Sequence, residues 1–171
     1  MAEQRGPAGT AEVHSVGYRP LTIWDAAFCW RLAADPEVRA LSHDPKPPTL
    51  WGHLKWMRRW TLSFSRDAWL IRTGWRSLGL VRAEGLPGGG SVISIAVLRE
   101  ARGRGVGTEA LRRLTPRFQR TFNGPVYAVI KAANVRSYDA FMRAGYVIAD
   151  EKNWQRLTGG AGNLIVLRWG A

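Results

Sequence analysis

The sequence predicts a single α/β domain built on a mixed, mostly antiparallel sheet of six to seven strands, with about four helices on its two faces. Three observations predict it. Short apolar runs bounded by Gly and Pro crowd the middle of the chain, the pattern of an antiparallel meander. Beyond Leu98 the apolar period lengthens from strand-like to helical, and helix and strand then alternate. The length, 171 residues of which 46% are hydrophobic and 22% charged, suits one core and excludes two large domains.

The elements follow in order. Residues 1–11 are small, polar and Gly/Pro-bearing, too poor in apolar side chains to offset the entropy of ordering, so a flexible tail is expected, with the domain spanning 12–171. Val13 to Arg19 reads as a short strand. Thr22, with Asp25 three residues on, forms a capping box for a helix carrying Trp24, Ala27, Phe28, Arg31 and Leu32 at helical spacing. Asp35-Pro36 ends or bends that helix, and His43 to Pro48, with three prolines, is a turn-rich connector. Thr49 caps a second helix with Leu50, Leu54, Met57 and Thr61 on one face and His53, Trp56 and Trp60 beside it.

Three strands are expected at Ala68 to Arg72, Ser77 to Glu84 and Ser91 to Leu98, the last two joined by a loop from Gly85 to Gly90. Gly105 to about Leu114 is helical, and Pro116 is expected to end or kink it, because proline removes a hydrogen bond and clashes with the preceding turn. Pro125 to Lys131 reads as a buried strand and Val135 to Ala144 as a helix closed by Gly145. A last hairpin, Tyr146 to Asn153 and Asn163 to Trp169, turns at Gly159 to Gly162.

Charge and cysteine content narrow the function classes. Twenty-five basic and 13 acidic residues leave a formal charge of +12, which favours an anionic partner such as a phosphorylated cofactor. The one cysteine, Cys29, cannot form an intrachain disulfide or a thiolate metal cage, and helix packing is its expected role. No metal site is expected. The N-terminus lacks the apolar stretch of about 7–15 residues that a secretory signal needs, and no run of about 18 uncharged apolar residues occurs. A soluble, cytoplasmic protein without a membrane partner is the expectation.

The segment from Ser94 to Thr108 carries the most chemical information. An apolar strand runs into Arg102-Gly103-Arg104-Gly105-Val106-Gly107-Thr108, a loop with glycines at alternate positions that opens directly into a helix. Such a loop lets backbone N–H groups converge at the positive end of a helix dipole, where a pyrophosphate can sit without a metal. Glycine suits it because a Cβ would block the phosphate and because several positions call for positive φ. No Gly-Lys-Ser/Thr follows, so it is not a P-loop, and it lacks Gly-x-Gly-x-x-Gly spacing.

The pattern Arg102-x-x-Gly105-x-Gly107, with a second block from Asn134 to Tyr146, closely resembles the GNAT superfamily of acetyl-CoA-dependent N-acetyltransferases. The resemblance implies a sheet splayed between its fourth and fifth strands, with acetyl-CoA as co-substrate. It implies that Val97 and Leu98 pair with the pantetheine arm and that Arg102, Gly103, Arg104, Gly105, Val106, Gly107 and Thr108 hold the pyrophosphate through backbone amides. Asn134 would touch the pantetheine or steady the splay, and Phe141 lies near the cofactor or in the core. In this family the amine attacks the thioester directly, and a backbone N–H near Val97 or Leu98 would hold the oxyanion. A covalent enzyme intermediate is not needed.

The chain departs from the family pattern at two places. Seven residues after Asn134, where many members carry a tyrosine acid, stands Phe141; Tyr138, one turn earlier on the same helix face, is the candidate replacement. Val92 stands where many relatives place a glutamate base, which leaves Glu84 as the candidate base, with a water chain as the alternative and Glu100 a poorer choice.

Trp30, Arg31, Asp35 to Arg39, Ser42, His53 and Trp56 resemble the acceptor segment of N-acetyltransferases acting on nucleotide-linked amino sugars, including those of pseudaminic-acid pathways. Here Leu32 replaces the Asn common after Trp-Arg. The resemblance implies Trp30, Arg31, His53 and Trp56 as substrate residues. Indole faces can stack on sugar or base rings, and Arg31 and Arg39 can meet a diphosphate. Three alternatives stand beside this reading: a protein N-terminal acetyltransferase like the ribosomal-protein modifiers, an RNA-associated module, and an acyl-CoA-sensing module without catalysis. Basic residues spread along the chain without a recognisable nucleic-acid motif, which argues against RNA. Relatives often dimerise, so a homodimer is left open.

Overall fold

The structure, a computed structural model, describes residues 16–41, 46 and 48–170. The expected tail at 1–11, the domain start at 12, residues 13–15 of the expected first strand, Ser42 and most of the connector between His43 and Pro48 lie outside the described residues.

Seven strands form one sheet: β1 (Val16–Pro20), β2 (Arg66–Thr73), β3 (Arg76–Gly85), β4 (Ser91–Val97), β5 (Val126–Lys131), β6 (Tyr146–Ile148) and β7 (Leu164–Trp169). Their order is β1-β2-β3-β4-β5-β7-β6. Every neighbouring pair is antiparallel except β4 and β5, which run parallel and pair only at Ser91–Ile93 against Val126–Ala128. Past Ile93 the two central strands part, and the expected splay opens there.

Six helices are described rather than about four: α1 (Ala26–Ala34), α2 (Pro36–Leu41), α3 (Leu50–Leu62), α4 (Val106–Thr121), α5 (Val135–Arg143) and α6 (Glu151–Thr158). Asp35-Pro36 does interrupt the first helix, but a new one starts at once. Proline at a first helical position has no N–H to lose, and Asp35 Oδ1 accepts from the Glu37 amide at 2.8 Å. The last hairpin is likewise corrected: β6 stops at Ile148, and Asp150 caps α6 by accepting from the Asn153 amide at 2.8 Å. Pro116 neither ends nor breaks α4, which continues to Thr121. Val106, Ala110, Leu111, Leu114, Thr115 and Phe118 bury one face of that helix, and this packing offsets a proline cost of about 3 kcal/mol.

Two apolar layers enclose the sheet. Ile71, Val81, Ala83 and Ile93 face α4 and α5, together with Phe141 and Tyr146. Leu70, Leu80 and Leu98 face Cys29 and Leu32 of α1 and Met57 of α3. Two helices present different faces from those expected. On α1 the buried residues are Cys29 and Leu32, and Trp24 before it is 90% exposed. On α3 the buried residues are His53 and Met57, whereas Leu50 and Leu54 face outward. The aromatic edge turns inward because its ring area exceeds that of the leucines and because His53 Nε2 finds Ala26 O below it at 2.8 Å. No described helix is long and apolar enough to cross a membrane.

Candidate active site

A cleft of about 800 Å³ opens where β4 and β5 part, with the glycine loop and the starts of α4 and α5 on one side and α1–α3 on the other. Gly103 and Gly105 adopt φ of +75° and +76°, as the sequence leads one to expect. A Cβ built at either would meet nothing within 4 Å, so conformation and not crowding selects glycine there. Gly105 is the N-cap of α4 and supplies no side-chain cap. The amides of Gly103, Gly105, Val106, Gly107 and Thr108 consequently donate to no described acceptor. Five N–H groups at the positive end of a 16-residue helix make an oxyanion cradle.

Hydrogen-bond alternation decides what the end of β4 offers. The Leu98 amide donates to Leu78 O at 2.8 Å, so residues 98, 96 and 94 direct their backbone groups toward β3. Those of Ile95 and Val97 point the other way, into the splay. Of Val97 and Leu98, Val97 is therefore the one whose amide faces the cleft. Leu98 is buried against α1 and α3, and its backbone is engaged by β3.

Arg102 does not present its charge to the loop. Its amide donates to Arg99 O, its Nε to Val97 O at 2.8 Å, and its guanidinium to Asp35 at 2.9 Å and Glu37 at 2.5 Å. It is a strut tying the α1–α2 junction to the end of β4. Asp35 is held below the usual carboxylate range: burial would raise it, but the amides of Glu37 and Val38 and the Arg102 charge outweigh that. Arg104 is exposed and borders a separate groove with Arg31. Asn134 lines the cleft, and its Oδ1 caps α5 by accepting from the Ser137 amide at 3.2 Å. Phe141 forms part of the cleft wall and packs edge-on against Tyr146, 4.9 Å between centroids.

The four expected substrate residues separate. His53 and Trp56 line the cleft. Trp30 lies outside its lining, packed edge-on against His53, and Arg31 lies against Phe28 in the other groove. His53 is buried and its Nε2–H donates to Ala26 O at 2.8 Å, so the ring is anchored between two helices. Its flat face stacks on Trp56, which in turn meets Trp60.

Neither candidate proton-transfer residue reaches the cleft. Glu84 is ion-paired with Arg66 and, at 3.7 Å, with Arg59, outside the lining. Tyr138 packs on the core beside α4 and is also outside it. Cys29 forms part of the wall, but burial pushes its thiol up to about 12, as the nearby Asp25 also does, so it is no nucleophile at neutral pH. Seven arginines and lysines line the cleft against two acids, Glu37 and Asp139. Among the described residues no group of three His, Cys, Asp or Glu could hold a metal.

Arg82 and Ser94 were missed by sequence reasoning although both line the cleft. A signal existed: Arg82 stands two residues from Leu80 within an apolar strand, and so shares its inward face.

A splayed sheet with a glycine cradle at its mouth defines an α/β domain with a cleft suited to a phosphate-bearing ligand. The chain belongs to the acetyltransferase (GNAT) domain family, whose profile matches residues 16–147. Solved structures share the fold. A domain from Methanocaldococcus jannaschii superposes with a TM-score of 0.73 at 18% identity, over 90% of this chain and 96% of that one. Spermidine N-acetyltransferase from Vibrio cholerae, solved with CoA and spermine, has a TM-score of 0.71 at 14% identity, over 91% and 94%. AAC(6')-Ib with ribostamycin and coenzyme A has 0.72 at 14%, over 90% and 92%. No curated protein matches the sequence.

Proposed function

We propose that the cleft binds acetyl-CoA and that the protein transfers its acetyl group to the primary amine of a small molecule, an amino sugar carried on a nucleotide. The observation that carries the cofactor assignment is the row of amides at Gly103 and Gly105–Thr108, a donor set without an acceptor among the described residues. Bound acetyl-CoA supplies an activated thioester. Val97, with backbone groups facing the splay, holds the pantetheine arm and offers the donor for the thioester oxygen. Spermine and ribostamycin in the structural relatives are likewise amines, which supports an amine acceptor.

The chain's contribution to the chemistry is positioning and electrostatics. The excess of cations around the cleft lowers the pKa of an ammonium held there, because like charges disfavour its protonated form. The amine then loses its proton to water rather than to Glu84, which lies outside the lining.

Calorimetric titration with acetyl-CoA, followed by thiol release in the presence of UDP-, GDP- and dTDP-linked amino sugars, N-terminal peptides and charged transfer RNA, tests this reading. Saturable binding with turnover on an amino-sugar nucleotide is expected. Turnover on peptides alone would replace the acceptor class, and absence of acetyl-CoA binding would overturn the cofactor assignment.

A further inference from the structure

Arg82 is a half-buried guanidinium in the acceptor wall with an unusual set of neighbours. Its Nε donates to Ser94 Oγ at 2.7 Å, directly across from it on β4. Its Cζ lies 5.5 Å from the centroid of the Trp56 ring and 5.3 Å from that of the adjoining Trp60 ring. The carboxylate nearest along the strand, Glu84, is engaged by Arg66 and Arg59. The two Nη groups of Arg82 therefore have no described acceptor, and the residue forms part of the cleft wall.

Indole faces attract the cation but accept none of its in-plane hydrogen bonds. Burial lowers the pKa of Arg82, the charge of Glu84 offsets this only in part, and among the described residues no carboxylate bonds to the guanidinium. An arginine held by Nε, with two neighbouring indole rings against one side of it, keeps a fixed, forked edge that matches a carboxylate or phosphate in a bidentate way. The two acids of the lining do not belong to this wall: Glu37 is bonded to Arg102, and Asp139 lies on α5.

We propose that Arg82 is the acceptor-anchoring residue and that it selects amines bearing an oxyanion, carboxylate or phosphate, over neutral amines and polycations. This rests on the reading of the cleft as the acetyl-CoA site and names the acceptor chemistry within it. Trp56 and Trp60, against the guanidinium, act as its optical reporters.

The test uses four small amines: O-phosphoethanolamine, β-alanine, ethanolamine and spermidine. Each is titrated by tryptophan fluorescence into the full chain with and without coenzyme A, in wild type and in Arg82→Gln and Arg82→Lys. A fluorescence change with the phosphate or the carboxylate amine at millimolar concentration is expected, at least about tenfold tighter than for ethanolamine or spermidine, equivalent to about 1.4 kcal/mol. Which of the two anions binds better separates phosphate from carboxylate recognition. Arg82→Gln should abolish the preference, and Arg82→Lys should restore part of it. Equal response to all four, response to none, or a preference retained in Arg82→Gln would each overturn the proposal. Acetyl-CoA calorimetry on the same variants keeps the cofactor reading separate: Arg82→Gln should leave that affinity within about twofold, and lack of binding by wild type would sink the cofactor reading while the anion test still stands on its own.

Discussion

Arg102 and Asp35 meet at 2.9 Å across 67 positions of the sequence, and this pair joins the α1–α2 junction to the end of β4. Both side chains are largely shielded, at 13% and 17% exposure, so the contact is stronger than a surface ion pair.

Arg102→Met should lower stability by about 2 kcal/mol, the scale of a lost charged hydrogen bond, or about 4–8 °C in Tm. Acetyl-CoA should bind less well because Val97 loses its brace. Differential scanning and calorimetry check both. A variant of wild-type Tm would remove the strut.

The acid side of stability follows from Asp25 and Asp35. Both are held below their ordinary value: burial would raise each, and it is outweighed by Arg19 and Thr22 at Asp25, and by the Glu37 and Val38 amides with Arg102 at Asp35. Their folded pKa lies below the unfolded one of about 3.9, so their contribution is complete above that value and is lost as pH falls through the folded pKa. Urea unfolding between about pH 6 and pH 2 should show this decline, and Arg102→Met should make it shallower.

Gly105→Val places a β-branched side chain at φ +76°, at a cost of about 1–2 kcal/mol, and disturbs the amide row. Acetyl-CoA affinity should fall at least about tenfold, 1.4 kcal/mol, while the far-UV spectrum remains that of the folded chain. Normal affinity would remove the loop from the cofactor site.

Glu84→Gln and Tyr138→Phe distinguish the residues that the sequence nominates from those that line the cleft. Both lie outside it, so turnover should stay within about twofold, well under the factor of about 100 or more that loss of a general acid or base brings. The pH–rate profile should keep its shape, rising with the free fraction of the acceptor amine. A lost ionisation in Glu84→Gln would restore it as the base.

Cys29 should resist thiol reagents in the folded protein near pH 8, because it is 3% exposed and its thiol is pushed up to about 12. Reaction with a disulfide reagent should appear on denaturation only. Fast labelling of the native chain would show that α1 opens.

Much of the fold is legible along the chain because its signals are local. Strand limits from Arg66 to Val97 fall within a few residues of the apolar runs, and Thr22 with Asp25 closes the expected capping box. Helix phase was harder to read. His53 and Trp56 sit beside Leu50 and Leu54 on one helix, and spacing alone does not say which stripe turns inward. The short helices α2 and α6 were missed because each begins at a cap, Asp35 or Asp150, inside a segment that otherwise reads as turn or strand.

By itself the sequence determined the glycine-loop side of the cleft. Glycines at 103 and 105 ahead of an amphipathic helix permit the left-handed backbone seen there, and the first turn of any helix leaves its amides open. Tertiary structure alone decided the opposite wall. Arg82 gains its setting from Ser94 across the strand pair and from Trp56 and Trp60 on a helix above, and Arg102 becomes a strut because Arg99 O takes its amide while Asp35 and Glu37 take its guanidinium. Backbone conformation is set by neighbours in sequence, whereas the partner of a charged side chain is set by which distant elements pack against it.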